Sequence, residues 1–243
     1  MNRSTICVCL EPHDDFWGLG HLTTDRGSVF VLGWRLIPWP VDAGDDMPEA
    51  VGRVLVRAMT SLAQVTYLCS AEMKSLGDDL ERLSKEKLAR RLVGNWYLGN
   101  KMSFWRHFGG THPRDLVTTE SLETAMELFD SPGYCWWGQG QLAFLSASGG
   151  PPPAIDRRTL RSCWSFRDNW VEQAADLADR TSLLAVMYPG HDGAFVGIFS
   201  ATAAFQRQLL QALEATATQA GFDWVSATEE EAFGDCMAEK QAG

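Results

Sequence analysis

LLAVMYPGHDGAFVGIFSATAAFQRQLLQALEATATQAGFDWVS, residues 183–226, changes hydrophobic period twice. Residues 183–188 and 194–199 are apolar runs of strand length on either side of Pro189-Gly-His-Asp-Gly193, whose composition suits a hairpin turn. From about residue 201 to 220 the period becomes helical. Phe205, Leu209 and Leu213 stand four apart, and Gly221 supplies the left-handed residue after the helix end. Residues 222–226 return to a strand, and Thr228-Glu-Glu-Glu231 has the residue types of another helix start.

The first part of the chain repeats that order. Residues 4–10 and 28–37 read as strands, closed by Glu11-Pro12 and by Pro38 and Pro40. After Pro48, the residues Val51, Val54, Leu55, Ala58, Met59 and Leu62 form one helical face. Residues 64–71 suit a strand, and Met73, Leu76, Leu80 and Leu83 predict a charged helix over 72–92. Strand, strand, helix, strand, helix thus occurs near both ends, a pseudo-repeat of pattern without residue identity. The reading favours one shared mixed sheet, in an α+β fold or a mixed α/β sandwich, forming one domain over 1–243.

Between these ends, Thr118 or Thr119 is expected to cap a helix with Leu122, Ala125, Met126 and Phe129 on one face. A strand is expected at 142–147. Ser165 is expected to cap a helix to about 179, with Trp170, Ala174 and Leu177 inward. Ser148-Gly-Gly-Pro-Pro-Pro153 is the most linker-like stretch, so an internal boundary, if any, falls at 148–153.

Of 243 residues, 45% are apolar and 21% charged, the balance of an ordinary globular protein. The six cysteines are spread without a C-x-x-C pair, which fits a reducing cytoplasm better than a secreted disulfide framework. The uncharged run 131–155 contains five Gly and four Pro, which argues against a membrane span. With 21 basic and 31 acidic residues the formal charge is −10, which disfavours nucleic acid and anionic membrane as partners.

That acidity is uneven. Residues 11–49 hold eight acids and two bases, and residues 223–243 hold six acids and one base. Asp14, Asp15, Asp45 and Asp46 belong to the first group, Glu229, Glu230 and Glu231 to the second. Such carboxylates serve as ordinary solvating surface. With Trp17 and Trp39 among them, they equally suit a face that captures a basic protein, carboxylates steering and indoles anchoring. The opposite pole is 87–114, where Lys101, Arg106 and Arg114 lie among aromatic residues without an acid. It suits an anion as a secondary site, or a helix end whose cations lie along an aromatic core.

Chemistry is sparsely marked. Cys7, Cys9, His13 and His21 have poor spacing for zinc, and two cysteines on one strand face are commonly core, so no metal or cofactor is expected. Gly138-Gln-Gly140-Gln-Leu-Ala143 has dinucleotide-loop spacing, but Pro151–Pro153 interrupt the helix it needs. The nucleophilic candidate is Cys135, beside Trp136, with His191 and Asp192 fifty-six residues on. Over about ten residues this resembles papain-like and transglutaminase-like enzymes, which implies a thiolate, an imidazole and an orienting carboxylate. In those families the nucleophile opens a helix, whereas Gly138 and Gly140 follow here. The leading expectation is therefore a cytoplasmic protein that masks a basic protein partner, of the toxin-neutralising, immunity type. The alternative is a cysteine-dependent hydrolase or transferase.

Overall fold

Strict alternation in Ser28–Arg35 sets the layers: Phe30, Leu32 and Trp34 enter one buried cluster, Val29 and Val31 another. Both faces of this strand are covered. The computed structural model describes residues 4–13, 20–35, 49–70, 90–97, 113–119, 122, 142–146, 170–189 and 195–226. Its strands are β1 (Thr5–Cys9), β2 (Ser28–Arg35), β3 (Gln64–Ser70), β4 (Arg90–Tyr97), β5 (Pro113–Thr119), β6 (Leu142–Ser146), β7 (Leu183–Pro189), β8 (Phe195–Ser200) and β9 (Asp223–Ser226). Its helices are α1 (Glu49–Leu62), α2 (Trp170–Arg180) and α3 (Ala203–Gln219).

The strands form one sheet in the order β4-β5-β3-β6-β7-β8-β2-β1-β9. Every pairing is antiparallel except that of β9 with β1, so the sheet is mixed and the fold is α+β. Helices α1 and α3 cover one face. Val54, Leu55 and Met59 of α1 and Phe205, Leu209 and Leu213 of α3 pack with Ile6, Phe30, Met187 and Ile198 of the sheet. Helix α2 covers the other, where Trp170, Ala174 and Leu177 meet Val31, Val186 and Phe199. The Trp170 ring stacks on Tyr188 at 5.2 Å between centroids.

The expected repeat appears as two ββαβ units, β1-β2-α1-β3 and β7-β8-α3-β9, joined through β2 and β8. In each unit the helix returns the chain so that its last strand runs in the direction of the strand before the helix. β6 lies between β7 and β3, replacing one parallel pairing with two antiparallel ones. β6 and β7, which flank the proline-rich 148–153 stretch, are neighbours; the stretch itself lies outside the described residues.

Two expectations are corrected. The charged helix over 72–92 does not reach residue 92, because Arg90–Tyr97 is strand β4 at the sheet edge. Thr118 does not cap a helix, because β5 continues through Thr119; residues 120 and 121, between Thr119 and the helical Leu122, lie outside the described residues. Leu122 is helical but 44% exposed. Its proposed companions Ala125, Met126 and Phe129 lie outside the described residues.

Helix α3 shows how local chemistry fixes topology. The Thr202 side chain accepts from the Phe205 N–H at 3.1 Å and caps its start. At its end the Gly221 N–H donates to Thr218 and the Phe222 N–H to Ala217, with Gly221 at φ +89° and Phe222 buried. This is a Schellman stop. It delivers the Asp223 N–H to the Ser4 carbonyl at 3.0 Å and so starts β9 beside β1.

Gly27 (φ +97°) is under a harder constraint, since a Cβ there would stand 2.6 Å from the Ser200 carbonyl oxygen and 2.7 Å from the Phe199 ring. Gly27→Ala is expected to cost about 3 kcal/mol, combining a positive φ with overpacking. Gly221→Ala meets nothing within 4 Å and should cost only about 1 kcal/mol from backbone strain. Urea unfolding of the two variants checks the ranking; equal costs would mean that the close approach at Gly27 is absent.

Candidate functional site

β1, β8 and β9 finish, and β2, β3 and β7 begin, at one end of the sheet, here called the upper end. Between β1 and β2 the chain exposes Leu10 and Glu11 and returns through Leu22, which is buried in the α2-side cluster. The Thr24 hydroxyl accepts from the Arg26 N–H at 3.1 Å, and the Ser28 hydroxyl donates to Gln206 Oε1 at 2.8 Å, tying this return to α3. A hollow of about 180 Å³ opens there. Leu10, Pro12, Leu22 and Val29 form its apolar walls and Glu11 is its charged member.

Arg26 fixes the same connection to α2. Its Nη1 donates to Asp176 at 2.7 Å and Asp179 at 3.1 Å, and Nη2 donates to Glu172. The three carboxylates fall at i, i+4 and i+7, one face of the helix. Hydrogen bonds to Asp176 and Glu172 hold the guanidinium above its ordinary pKa. With those carboxylates ionised, its stabilising effect is present below that ordinary value and is lost as pH rises through the higher, folded-state one.

Most candidate residues read from the sequence lie outside the described residues: Asp14, Asp15, Trp17, Trp39, Asp45, Asp46, Glu229, Glu230, Glu231, Lys101, Arg106, Cys135, His191 and Asp192. β9 runs parallel to β1, with Val8 opposite Ser226, so both strands finish at the upper end. In the sequence, Asp14 and Asp15 come soon after β1 and Glu229 to Glu231 soon after β9.

The third acidic group, Asp42 to Glu49, follows β2 in the sequence, and β2 finishes at the lower end with Arg35. Residues 36–48 lie outside the described residues.

Arg114 stands in β5 opposite Trp96 of β4, and Lys101 and Arg106 belong to the connection between those strands. Cys135 precedes the start of β6 by seven residues, and His191 and Asp192 follow the end of β7; these adjacent strands share the lower end there. Cys9 is buried in the α2-side cluster and Cys7 is half-buried, and neither is in a disulfide. Among the described residues no group of three or more His, Cys, Asp and Glu side chains could hold a metal ion, and no helix is long and apolar enough to cross a membrane.

No protein family, no curated protein and no solved structure matches the chain. What the site offers is therefore read from its own chemistry: carboxylates beside an apolar hollow, on a connection held from two sides. Sequence reading passed over the hollow and Arg26. Glu11-Pro12 directly after the first strand was the available signal, whereas the Arg26 partners lie about 150 residues away.

Arg26→Ala leaves Glu172, Asp176 and Asp179 without their shared cation and should lower the thermal midpoint. The deficit is expected to shrink at about 1 M salt, where like charges on α2 are screened. An equal deficit at both salt concentrations would assign the effect to packing of the arginine stem.

Proposed function

We propose that this chain is a cytoplasmic binding protein that masks a basic protein partner, plausible chemistry for neutralising a toxin. The observation that supports this reading is the parallel pairing of β1 with β9: both strands finish at one end of the sheet, and each is followed in the sequence by an acidic stretch. The chain's formal charge of −10 supports it. Carboxylates at that end would steer a cationic surface during encounter, and Trp17 would anchor it by burying an indole. Masking by occlusion requires no cofactor. Asp45, Asp46 and Trp39 belong to the same proposed partner-binding set. Lys101, Arg106 and Arg114 offer a secondary anion site.

A second reading is a cysteine-dependent hydrolase or transferase using Cys135, with His191 as base and Asp192 orienting it. It is favoured by the tethering of Cys135 and His191 to adjacent strands at one sheet end. Replacement of Cys135 by Ser abolishes that enzyme and leaves partner capture unchanged.

Affinity capture from native cells should recover a stoichiometric basic protein. Reversing Asp14, Asp15 and Glu229 to Glu231 to lysine should lower its association rate by about 10- to 100-fold at low salt and flatten the salt dependence. Reversing Asp45 and Asp46 to lysine should likewise slow association and change its salt dependence. Stopped-flow association gives the comparison; a rate insensitive to both sets removes the proposed steering.

A further inference from the structure

The geometry points to the upper-end hollow as a socket for one cationic side chain, lysine or arginine, of a basic protein; this rests on the masking reading above. At about 180 Å³ the hollow is smaller than the roughly 300–1,000 Å³ of cavities that take metabolites or cofactors. It is of a size for one side chain, the unit by which interface anchors are seated. Leu10, Pro12, Leu22 and Val29 offer apolar wall to a methylene stem. Glu11 is the charged residue of the lining, exposed and without an ion pair or hydrogen bond among the described residues.

The neighbourhood selects the sign of the occupant. Among the described residues no lysine or arginine lines the hollow, and Arg26, close by in the chain, is engaged by the carboxylates of α2. The Thr24 and Ser28 hydroxyls already bond the Arg26 backbone and Gln206. The Glu11 carboxylate is the strongest acceptor left, and an ammonium or guanidinium is its matching donor. Leu10, 45% exposed, is an apolar side chain that a seated stem would cover. Leu22 and Gly27 fix the walls beforehand, so little ordering accompanies entry.

The test titrates the full chain with hexalysine and hexaarginine amides at low ionic strength, with hexaglutamate as control, following the methyl resonances of Leu10, Leu22 and Val29. Saturable shifts of these methyls with the cationic peptides alone are expected. Glu11→Gln should weaken binding about threefold, the effect of one exposed charge pair. Thr23→Trp, which obstructs the hollow at constant charge, should abolish the shifts while the methyls of Leu209 and Leu213 keep their positions. Cationic peptide binding that leaves Leu10, Leu22 and Val29 unshifted, or that both variants leave unchanged, overturns the socket but not the masking of a basic partner. Failure of both cationic peptides to bind overturns both.

Discussion

The antiparallel seam between β2 and β8 is the constraint on which the rest of the molecule depends. Residues from Ser28 opposite Ser200 to Gly33 opposite Phe195 join one ββαβ unit to the other, and those between are buried on both faces of the sheet. Neither unit has a complete core of its own. Phe30 and Leu32 from one and Val196 and Ile198 from the other lie under α1 and α3, while Val29, Val31 and Phe199 lie under α2. Loss of register by one residue would exchange these two sets, placing side chains shaped for a helix pair against a single helix. Gly27 sits where the seam begins, and its missing Cβ is what lets the incoming connection approach Ser200.

From that seam the upper end follows. Because β2 is held to β8, β1 is held outside β2, and the Schellman stop after α3 then leaves β9 a position beside β1. A parallel edge pairing of four residues is a weak element by itself. It is supported from behind by Phe222 and Trp224, which join the α1–α3 side of the core. Charge on the other face is arranged by a separate contact, the approach of Arg26 to three carboxylates of α2. That contact leaves Glu11 and Asp25 unpaired among the described residues, so acidity is kept toward solvent at the connection.

Legibility in the sequence followed the physics of each element. β7, β8, α3 and β9 were readable because their apolar periods are unbroken and Gly221 carries its own stop signal. β4 and β5 were not. Arg90 and Arg91 in an edge strand look like the end of a charged helix, since an edge tolerates charge that a central strand excludes. Thr118 and Thr119 fit a helix cap and a strand end equally well until the pairing with β3 is known. At the candidate site, acidic groups were visible as composition, but the common end at which β1 and β9 finish was not. Strand order is a non-local property that the period of a single segment does not carry.

An acidic end with a small apolar hollow can divide recognition into two physical tasks. Long-range attraction acts over about a Debye length, roughly 8 Å at physiological salt, and needs only carboxylates near the end of the sheet, not a fixed geometry. Selection among cationic surfaces needs the opposite: a wall held to within a fraction of an ångström, so that a misplaced stem loses its contacts. The connection between β1 and β2 supplies that wall because Leu22 is buried below it and Arg26 clamps it to α2. Charge without such a wall would attract many basic proteins equally, and a wall without charge would be slow to find any of them. Strands fixed by a single seam would give the masking proposed above its means of discrimination, which surface charge alone does not supply.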